Sequence, residues 1–208
     1  SSGMNEFVKR VPFQTASRRG MRVPRAVLAT FSFVTVAVGW GLPARANAPQ
    51  LLGVSRIWNQ APHNAFTDLV WFDDAFYVAF REASMHGVPG VGQPGGALRV
   101  LRSGDGIAWQ STAVIEGSTN EDLRDAKLSV APDNRLMLEG AMAPHESPSQ
   151  RQSRAWFSSD GATWSSSTDI GDPNYWLWGV QWHDDLAYSI GYGPTTINSA
   201  SWTTRLYR

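Results

Sequence analysis

The residues best suited to chemistry are carboxylates, guanidinium groups and aromatic rings that lie at the ends of apolar segments of the chain. They form three successive groups along the sequence: His63, Asn64, Asp68, Arg81, Glu82 and His86, then Arg124, Asp125, Lys127 and Glu139, and finally Trp176, Trp178 and Tyr192. Paired charges beside aromatic walls are typical of a pocket that binds a sugar, because a few polar groups orient the ligand on an otherwise apolar surface.

Other kinds of site are excluded by residue type. The 208 residues include no cysteine, which excludes disulfides, thiol catalysis and cysteine-bound metals. No pair of histidines has metal-ligand spacing, so we expect neither a metal nor a cofactor. The segment Gly90–Gly95 fits a Gly-x-Gly-x-x-Gly pattern, but Pro94 lies inside it and no helix is predicted after it. Basic and acidic residues balance at 18 each, which gives no reason to expect a nucleic-acid partner.

The elements that position these groups begin with three predicted β-hairpins. The segments WFDDAFY (71–77), APDNRLM (131–137) and WHDDLAY (182–188) each place a turn pair between alternating apolar residues. A short Asp- or Asn-containing turn between alternating apolar segments is a strong hairpin signal. The three hairpins predict a repeat of one structural unit.

A second repeated motif follows the first two hairpins. SGDGIAW (103–109) and SSDGATW (158–164) share the pattern Ser-x-Asp-Gly-x-(Ala/Thr)-Trp, and each comes directly after a short predicted strand, at 99–102 and at 154–157. Ser and Asp side chains bond backbone N–H groups across sharp turns, and Gly tolerates a positive φ there. We interpret the motif as a structural staple between a third and a fourth strand, without a catalytic role.

Four antiparallel strands for each repeat of roughly fifty to sixty residues predict a propeller blade. The fold class expected is therefore all-β, a β-propeller of four-stranded antiparallel blades. The blades lie near 62–118, 119–172 and 173–208, so residues 47–208 would be a partial propeller of about two and a half blades.

The N-terminal segment has the three parts of a secretory signal peptide. Arg22 and Arg25 precede an apolar stretch from Ala26 to Leu42, and an Ala-x-Ala pattern ends at Ala46 or Ala48. We assign residues 1–46 to this signal and the segment upstream of it. The protein is then expected to be secreted or periplasmic, with no membrane association after cleavage. A retained membrane anchor is the alternative, because the apolar stretch approaches the length that spans a bilayer.

The two Ser-x-Asp-Gly turns, in register with the hairpins, resemble the Asp-boxes of the sialidase (neuraminidase) superfamily, also called BNR repeats. The resemblance covers about 62–208, with HNAFTDLVWFDDAFYVAFRE (63–82) and DLRDAKLSVAPDNRLML (122–138) as inner hairpins. It implies an N-terminal part of a longer propeller, six-bladed when complete. Residues 205–208 align with 99–102 and 154–157, the strands that directly precede the two Ser-x-Asp-Gly turns. We therefore expect this sequence to stop inside the third blade.

The resemblance further implies Arg residues that grip a carboxylate and acidic residues that move protons. On the positions of this sequence, the implied grips are Arg81 and Arg124, and the implied acid–base or orienting residues are Glu82, Asp68 and Asp125. Three further residues are expected beside them at the substrate, under a loop over 83–97: His86, Glu139 and Trp178.

Three hypotheses for function stay open at this point. The first is a secreted sialidase-like glycoside hydrolase that acts on terminal sugars, acidic ones among them. The second is a non-catalytic propeller that binds carbohydrate or serves as a scaffold. The third is a glycosidase built on paired carboxylates, with Asp68 as base and Glu139 or Glu82 as acid. The partner in each case is a carbohydrate or glycoconjugate.

Overall fold

The computed structural model describes residues 48–196 and 200–208, and this part of the chain is all-β. Within the compact unit Leu52–Arg208, the strands are β1 (His63–Phe72), β2 (Ala75–Ala83), β3 (Ala97–Ser103), β4 (Gln110–Ile115), β5 (Glu121–Val130), β6 (Leu136–Pro144), β7 (Gln152–Ser158), β8 (Thr168–Ile170), β9 (Trp176–His183), β10 (Leu186–Pro194) and β11 (Trp202–Tyr207). The signal peptide expected in residues 1–46 lies outside the described residues.

The strands form three antiparallel sheets in chain order. The first sheet is β1-β2-β3-β4, the second is β5-β6-β7-β8, and the third contains β9, β10 and β11. The prediction of four-stranded antiparallel units is confirmed for the first two sheets. The described residues do not close a ring, so the propeller remains a proposal. No helix in the described part of the chain is long and apolar enough to span a membrane.

All three predicted hairpins are present. The two-residue turns Asp73-Asp74 and Asp184-Asp185 have positive φ at both residues, with 44° and 53° in the first and 49° and 61° in the second. Two positive φ angles are the mark of a type I′ turn, whose twist matches that of the flanking strands. The middle hairpin uses a longer turn, in which the Ala131 amide donates to the Arg135 carbonyl.

The Ser-x-Asp-Gly turns have the structural role that the sequence predicts. In the second turn, the Asp160 carboxylate accepts hydrogen bonds from the amides of Ala162 and Thr163 at 2.8 and 2.7 Å, and Ser158 accepts one from Gly161. These backbone donors lower the pKa of Asp160 to about 2. The turn at Ser103 repeats the same bonds, so both motifs fasten the third strand of a sheet to the fourth.

Each sheet packs one face against the next sheet. Tyr77 and Leu98 of the first sheet share a core with Leu138 and Trp156 of the second. A smaller cluster joins the second sheet to the third through Met137, Ala155 and Val180. The outer face of the first sheet is covered by Ile57 and Trp58. Ile190 and Leu206 of the third sheet are 50% and 67% exposed.

Candidate functional site

A bulge near the start of each inner strand determines which side chains reach the site. The pairing register shifts between Ala65 and Asp68 in β1 and between Arg124 and Lys127 in β5. The third sheet has a matching irregularity, and its Gly179 has a φ of 102°. In the second sheet the bulge holds Asp125 at a φ of 58°, a conformation that side chains rarely adopt and that is often found at functional sites.

Arg81 and Arg124 converge on one buried carboxylate, Asp122. Arg81 Nη2 lies 2.7 Å from Asp122 Oδ1, and both groups are fully buried. Arg124 donates from Nε to Asp122 Oδ2 at 2.8 Å and keeps 12% of its side chain exposed. The Gly96 amide also donates to Asp122, at 2.6 Å. Asp122 therefore joins both arginines to the loop that follows β2.

The two arginines hold the loop over 83–97 through its carbonyl groups. Arg81 donates to the carbonyls of Met85 and Gly87 at 2.7 and 3.1 Å, and Arg124 donates to the carbonyl of His86 at 3.1 Å. The imidazole of His86 lies 3.1 Å from that of His63. The loop thus lies over the arginines, as expected. Because Arg81 is buried and its Nη groups are occupied, Arg124 is the one of the pair that can reach a ligand.

Glu82 lies away from this cluster. Successive side chains of a strand point to opposite faces, so Glu82 faces the N-terminal segment while Arg81 faces the second sheet. Its carboxylate accepts from Trp58 Nε1 at 2.9 Å and from Arg99 Nε at 2.5 Å. The structure does not bring Glu82 together with the other predicted site residues.

Asp68 and Glu139 link neighbouring sheets. Asp68 Oδ2 accepts from the Leu128 amide of the second sheet at 2.8 Å, and Glu139 Oε2 accepts from the Gly179 amide of the third at 3.0 Å. Burial raises the pKa of Glu139 to about 7, against the lowering effects of the Gly179 hydrogen bond and of Lys127. Both carboxyl groups lie near the candidate site but are already bonded to backbone.

The raised pKa of Glu139 predicts a pH-dependent stability. Because the folded protein holds this proton up to a pH of about 7 and the unfolded chain releases it near 4.5, stability falls as pH rises between these values. The change amounts to about 3 kcal/mol for such a shift. Glu139→Gln keeps an acceptor for Gly179 but does not titrate, so we expect its unfolding free energy to fall less than that of wild type over this range in urea titrations. Parallel curves for the two proteins would contradict the prediction.

Asp125 differs from the other carboxyl groups of the candidate site, because no partner for it lies in the part of the chain that the structure describes. It is 4% exposed, and its carboxylate makes no hydrogen bond or ion pair within the described residues. Burial raises the pKa of Asp125, and the positive charges of Arg124, Lys127 and Arg81 oppose that rise. A buried, unpaired carboxyl group with a raised pKa is suited to donate or accept a proton.

Aromatic side chains of the third sheet form one wall of the site. Trp178 is 43% exposed, and its ring lies 6.0 Å from that of Trp176 and 5.9 Å from that of Tyr192, with the planes nearly parallel. Trp178 also lines a cavity of about 490 Å³, together with Asp68 and Lys127. A cavity of this size is within the range of small-molecule sites and can hold a sugar.

Two residues of this region were not among those predicted from the sequence. Asp122 follows Glu121 at the start of β5. Because side chains two positions apart in a strand share a face, strand alternation places Asp122 on the same face as Arg124. Arg151 precedes β7 in a polar loop, and its guanidinium lies 4.3 Å from the Trp176 ring. Only the packing of the second sheet on the third brings it there, so no local pattern identifies it. Within the described residues, no three His, Cys, Asp or Glu side chains form a group that could hold a metal ion.

No protein-family model and no curated protein matches the sequence. Among solved structures, the chain is similar to a protein from Bifidobacterium bifidum s17 assigned as an exo-beta-1,3-galactanase, with a TM-score of 0.42 and 14% identity over 62% of this chain and 45% of that one. It is also similar to an exo-1,5-alpha-L-arabinanase from a bovine ruminal metagenomic library, with a TM-score of 0.30 and 11% identity over 70% and 75% of the two chains.

A protein from Bacteroides thetaiotaomicron assigned as a glycosidase gives a TM-score of 0.30 and 10% identity over 69% of this chain and 68% of that one. The chain spans less than half the length of the galactanase. These likenesses, all to glycosidase structures, are too weak to assign an activity to this chain.

Proposed function

We propose that the protein is an exported glycoside hydrolase of the sialidase-like type, built on a β-propeller, that acts on terminal sugars, acidic ones among them. In this proposal Asp125 is the acid–base group, and Arg124 and Trp178 contact the sugar. Arg81 and Asp122 position Arg124 and the loop over 83–97. Asp68 and Glu139 hold the inner strands of neighbouring sheets at the correct separation.

The observation that carries the proposal is the environment of the Asp125 carboxyl group. It is buried, has no hydrogen-bond partner in the described part of the chain, and has a pKa raised by burial. A general acid must hold its proton near neutral pH and release it to the leaving oxygen of the glycosidic bond. The bulge holds the backbone of Asp125 at a φ of 58°, close to the 59° of Phe66 in the bulge of the first sheet, so this conformation belongs to the repeated strand geometry.

The repeated packing of the sheets supports the propeller. The first sheet packs on the second, and the second packs on the third, through equivalent faces of their middle strands. Repetition of one such packing step generates a ring. The exposed Ile190 and Leu206 lie on the face of the third sheet that would receive the next unit.

The non-catalytic alternative also has an observation in its favour. Of the proposed acid–base residues, Glu82 is bonded to Arg99 and Trp58, and both oxygens of Asp68 accept backbone amides. Glycosidases of the paired-carboxylate type need two carboxyl groups free to act on one bond. Neither Glu82 nor Asp68 is free in this way, which favours binding without cleavage over a paired-carboxylate mechanism.

A panel of aryl glycosides separates the two functions. The exported protein is incubated with aryl glycosides of neutral hexoses, uronic acids and sialic acid, and release of the aryl alcohol is followed together with sugar binding by calorimetry. Turnover of at least one glycoside is the expected result. Saturable binding with no turnover on any member would overturn the hydrolase and support the binding protein, and neither binding nor turnover would overturn both.

A further inference from the structure

Two histidines join the loop over 83–97 to the first strand of the first sheet. His63 lies at the start of β1, and its Nε2 is 3.1 Å from Nδ1 of His86, an exposed residue of the loop. The Phe66 ring completes the cluster, 6.1 Å from the His63 ring and 5.5 Å from the His86 ring. The proposed function uses neither imidazole.

The contact between the two imidazoles depends on their protonation. In a neutral imidazole one ring nitrogen carries a proton and the other accepts a hydrogen bond, whereas both nitrogens carry protons in the cation. The hydrogen bond between His63 and His86 therefore needs an unprotonated nitrogen on one of the two rings. Once both rings are cations, two N–H groups of like charge face each other and the bond is lost.

The surroundings of the pair oppose its protonation. Burial lowers the pKa of His63, and the positive charges of Arg81 on β2, of His86 and of Arg124 on β5 lower it further. Asp122 is paired with both arginines, so one carboxylate already compensates two cations. A proton taken up by the histidine pair therefore adds positive charge to a place that has an excess of it.

A second acidic group, Asp125, interacts electrostatically with both arginines. Because burial raises the pKa of Asp125, acid removes this negative charge more readily than that of an ordinary aspartate. A fall in pH thus adds positive charge to the histidines and removes negative charge beside the arginines. Both changes act in the same direction.

The arginines that oppose protonation of His63 also hold the loop. They donate to the three carbonyl groups of residues 85–87, at distances of 2.7 to 3.1 Å. One of these carbonyls belongs to His86, which is attached through its backbone to Arg124 and through its ring to His63. A positive charge on the His86 ring would therefore arise in a segment that cations keep in place.

We propose that His63 and His86 form a pH-sensitive latch that keeps residues 84–88 over Arg124 at neutral pH and releases them in acid. The closed loop holds His63 with a lowered pKa, whereas a released imidazole titrates near its ordinary value of 6.5. Proton uptake therefore favours release, so the closed loop is fully stabilised above about pH 6.5 and is lost as the pH falls below that value. This inference does not depend on the proposed function, because the order of the loop is measured without a sugar.

Backbone NMR relaxation tests the latch on the full chain at about pH 7.5 and about pH 5, on either side of the titration range of histidine. Wild type is compared with His86→Gln and His63→Gln, because glutamine keeps a hydrogen-bonding side chain but does not take up a proton. His183→Gln is the matched control, since His183 is an exposed histidine of β9 whose ring lies 3.3 Å from Asp184.

We expect the order parameters of amides 84–88 in wild type to lie near 0.85 at the higher pH, as in rigid backbone, and to fall below about 0.6 at the lower pH. His86→Gln and His63→Gln should each show the same order at both pH values, and His183→Gln should match wild type. The amides of Ala162 and Thr163 should stay ordered throughout, because Asp160, which holds them, has a pKa of about 2.

Equal order of amides 84–88 at the two pH values in wild type would overturn the latch, since the His86 ring would then leave without releasing the backbone. A full pH response that persists in both His86→Gln and His63→Gln would overturn it as well, because another group would then be the sensor. Loss of order at Ala162 and Thr163 together with the loop would show general unfolding in acid and would also contradict a local latch.

Discussion

Asp122→Ala should lower the free energy of unfolding by about 3–5 kcal/mol, the usual cost of removing one partner from a buried charge pair. Arg81 would keep its hydrogen bonds to two loop carbonyls but lose the carboxylate with which it forms a fully buried ion pair. The Gly96 amide would lose its acceptor as well. Urea unfolding, followed by tryptophan fluorescence, measures the change.

The matched control is Asp133→Ala, which removes an exposed carboxylate from its pair with Arg135. Exposed ion pairs contribute little, so this variant should unfold close to wild type. A loss of stability in Asp122→Ala no greater than in the control would contradict the buried cluster. Limited proteolysis should also show faster cleavage within 83–97 in Asp122→Ala, because that loop depends on both arginines.

Asp125→Asn should lower kcat on the glycoside that wild type cleaves by a factor of about 10²–10⁴, the contribution of a positioned general acid. The substitution preserves the shape of the side chain but removes the proton that the leaving oxygen requires. Because Asn also adopts positive φ readily, the bulge at a φ of 58° should persist. Steady-state rates on a series of aryl glycosides measure the effect.

The dependence on the leaving group separates an acid from a merely structural residue. A dinitrophenyl glycoside needs no protonation of its leaving group, so Asp125→Asn should lose much less activity on it than on an alkyl glycoside. Asp133→Asn serves as a control for the introduction of an amide and should keep full activity. An equal loss on both kinds of glycoside would rule out Asp125 as the general acid.

The fold is predicted best where the signal is local. The turns at Asp73-Asp74 and Asp184-Asp185, and the staples at Asp105 and Asp160, depend on side-chain and backbone preferences within a few residues. The bulge at Asp125 is not predicted from the sequence, because no Gly or Pro marks it and its geometry is set by pairing with β6.

The relative positions of the candidate site residues are predicted only in part. The sequence predicts that Arg81 and Arg124 lie together under the loop over 83–97, and in the structure both arginines donate to carbonyl groups of that loop. Strand alternation already requires Arg81 and Glu82 to point to opposite faces, so at most one of them can reach the second sheet. Arg151 depends on contact between sheets and could not be found from any spacing.

The central claim is that a sugar binds where the second and third sheets meet, beside Asp125, and not at the Asp-containing turns. The most direct measurement follows the indole N–H signals of individually assigned tryptophans by NMR, while the full chain is saturated with the tightest-binding sugar. The signals of Trp176 and Trp178 should move, and those of Trp109 and Trp164, next to the turns, should stay in place. Shifts confined to Trp109 and Trp164, with Trp176 and Trp178 unchanged, would contradict the account.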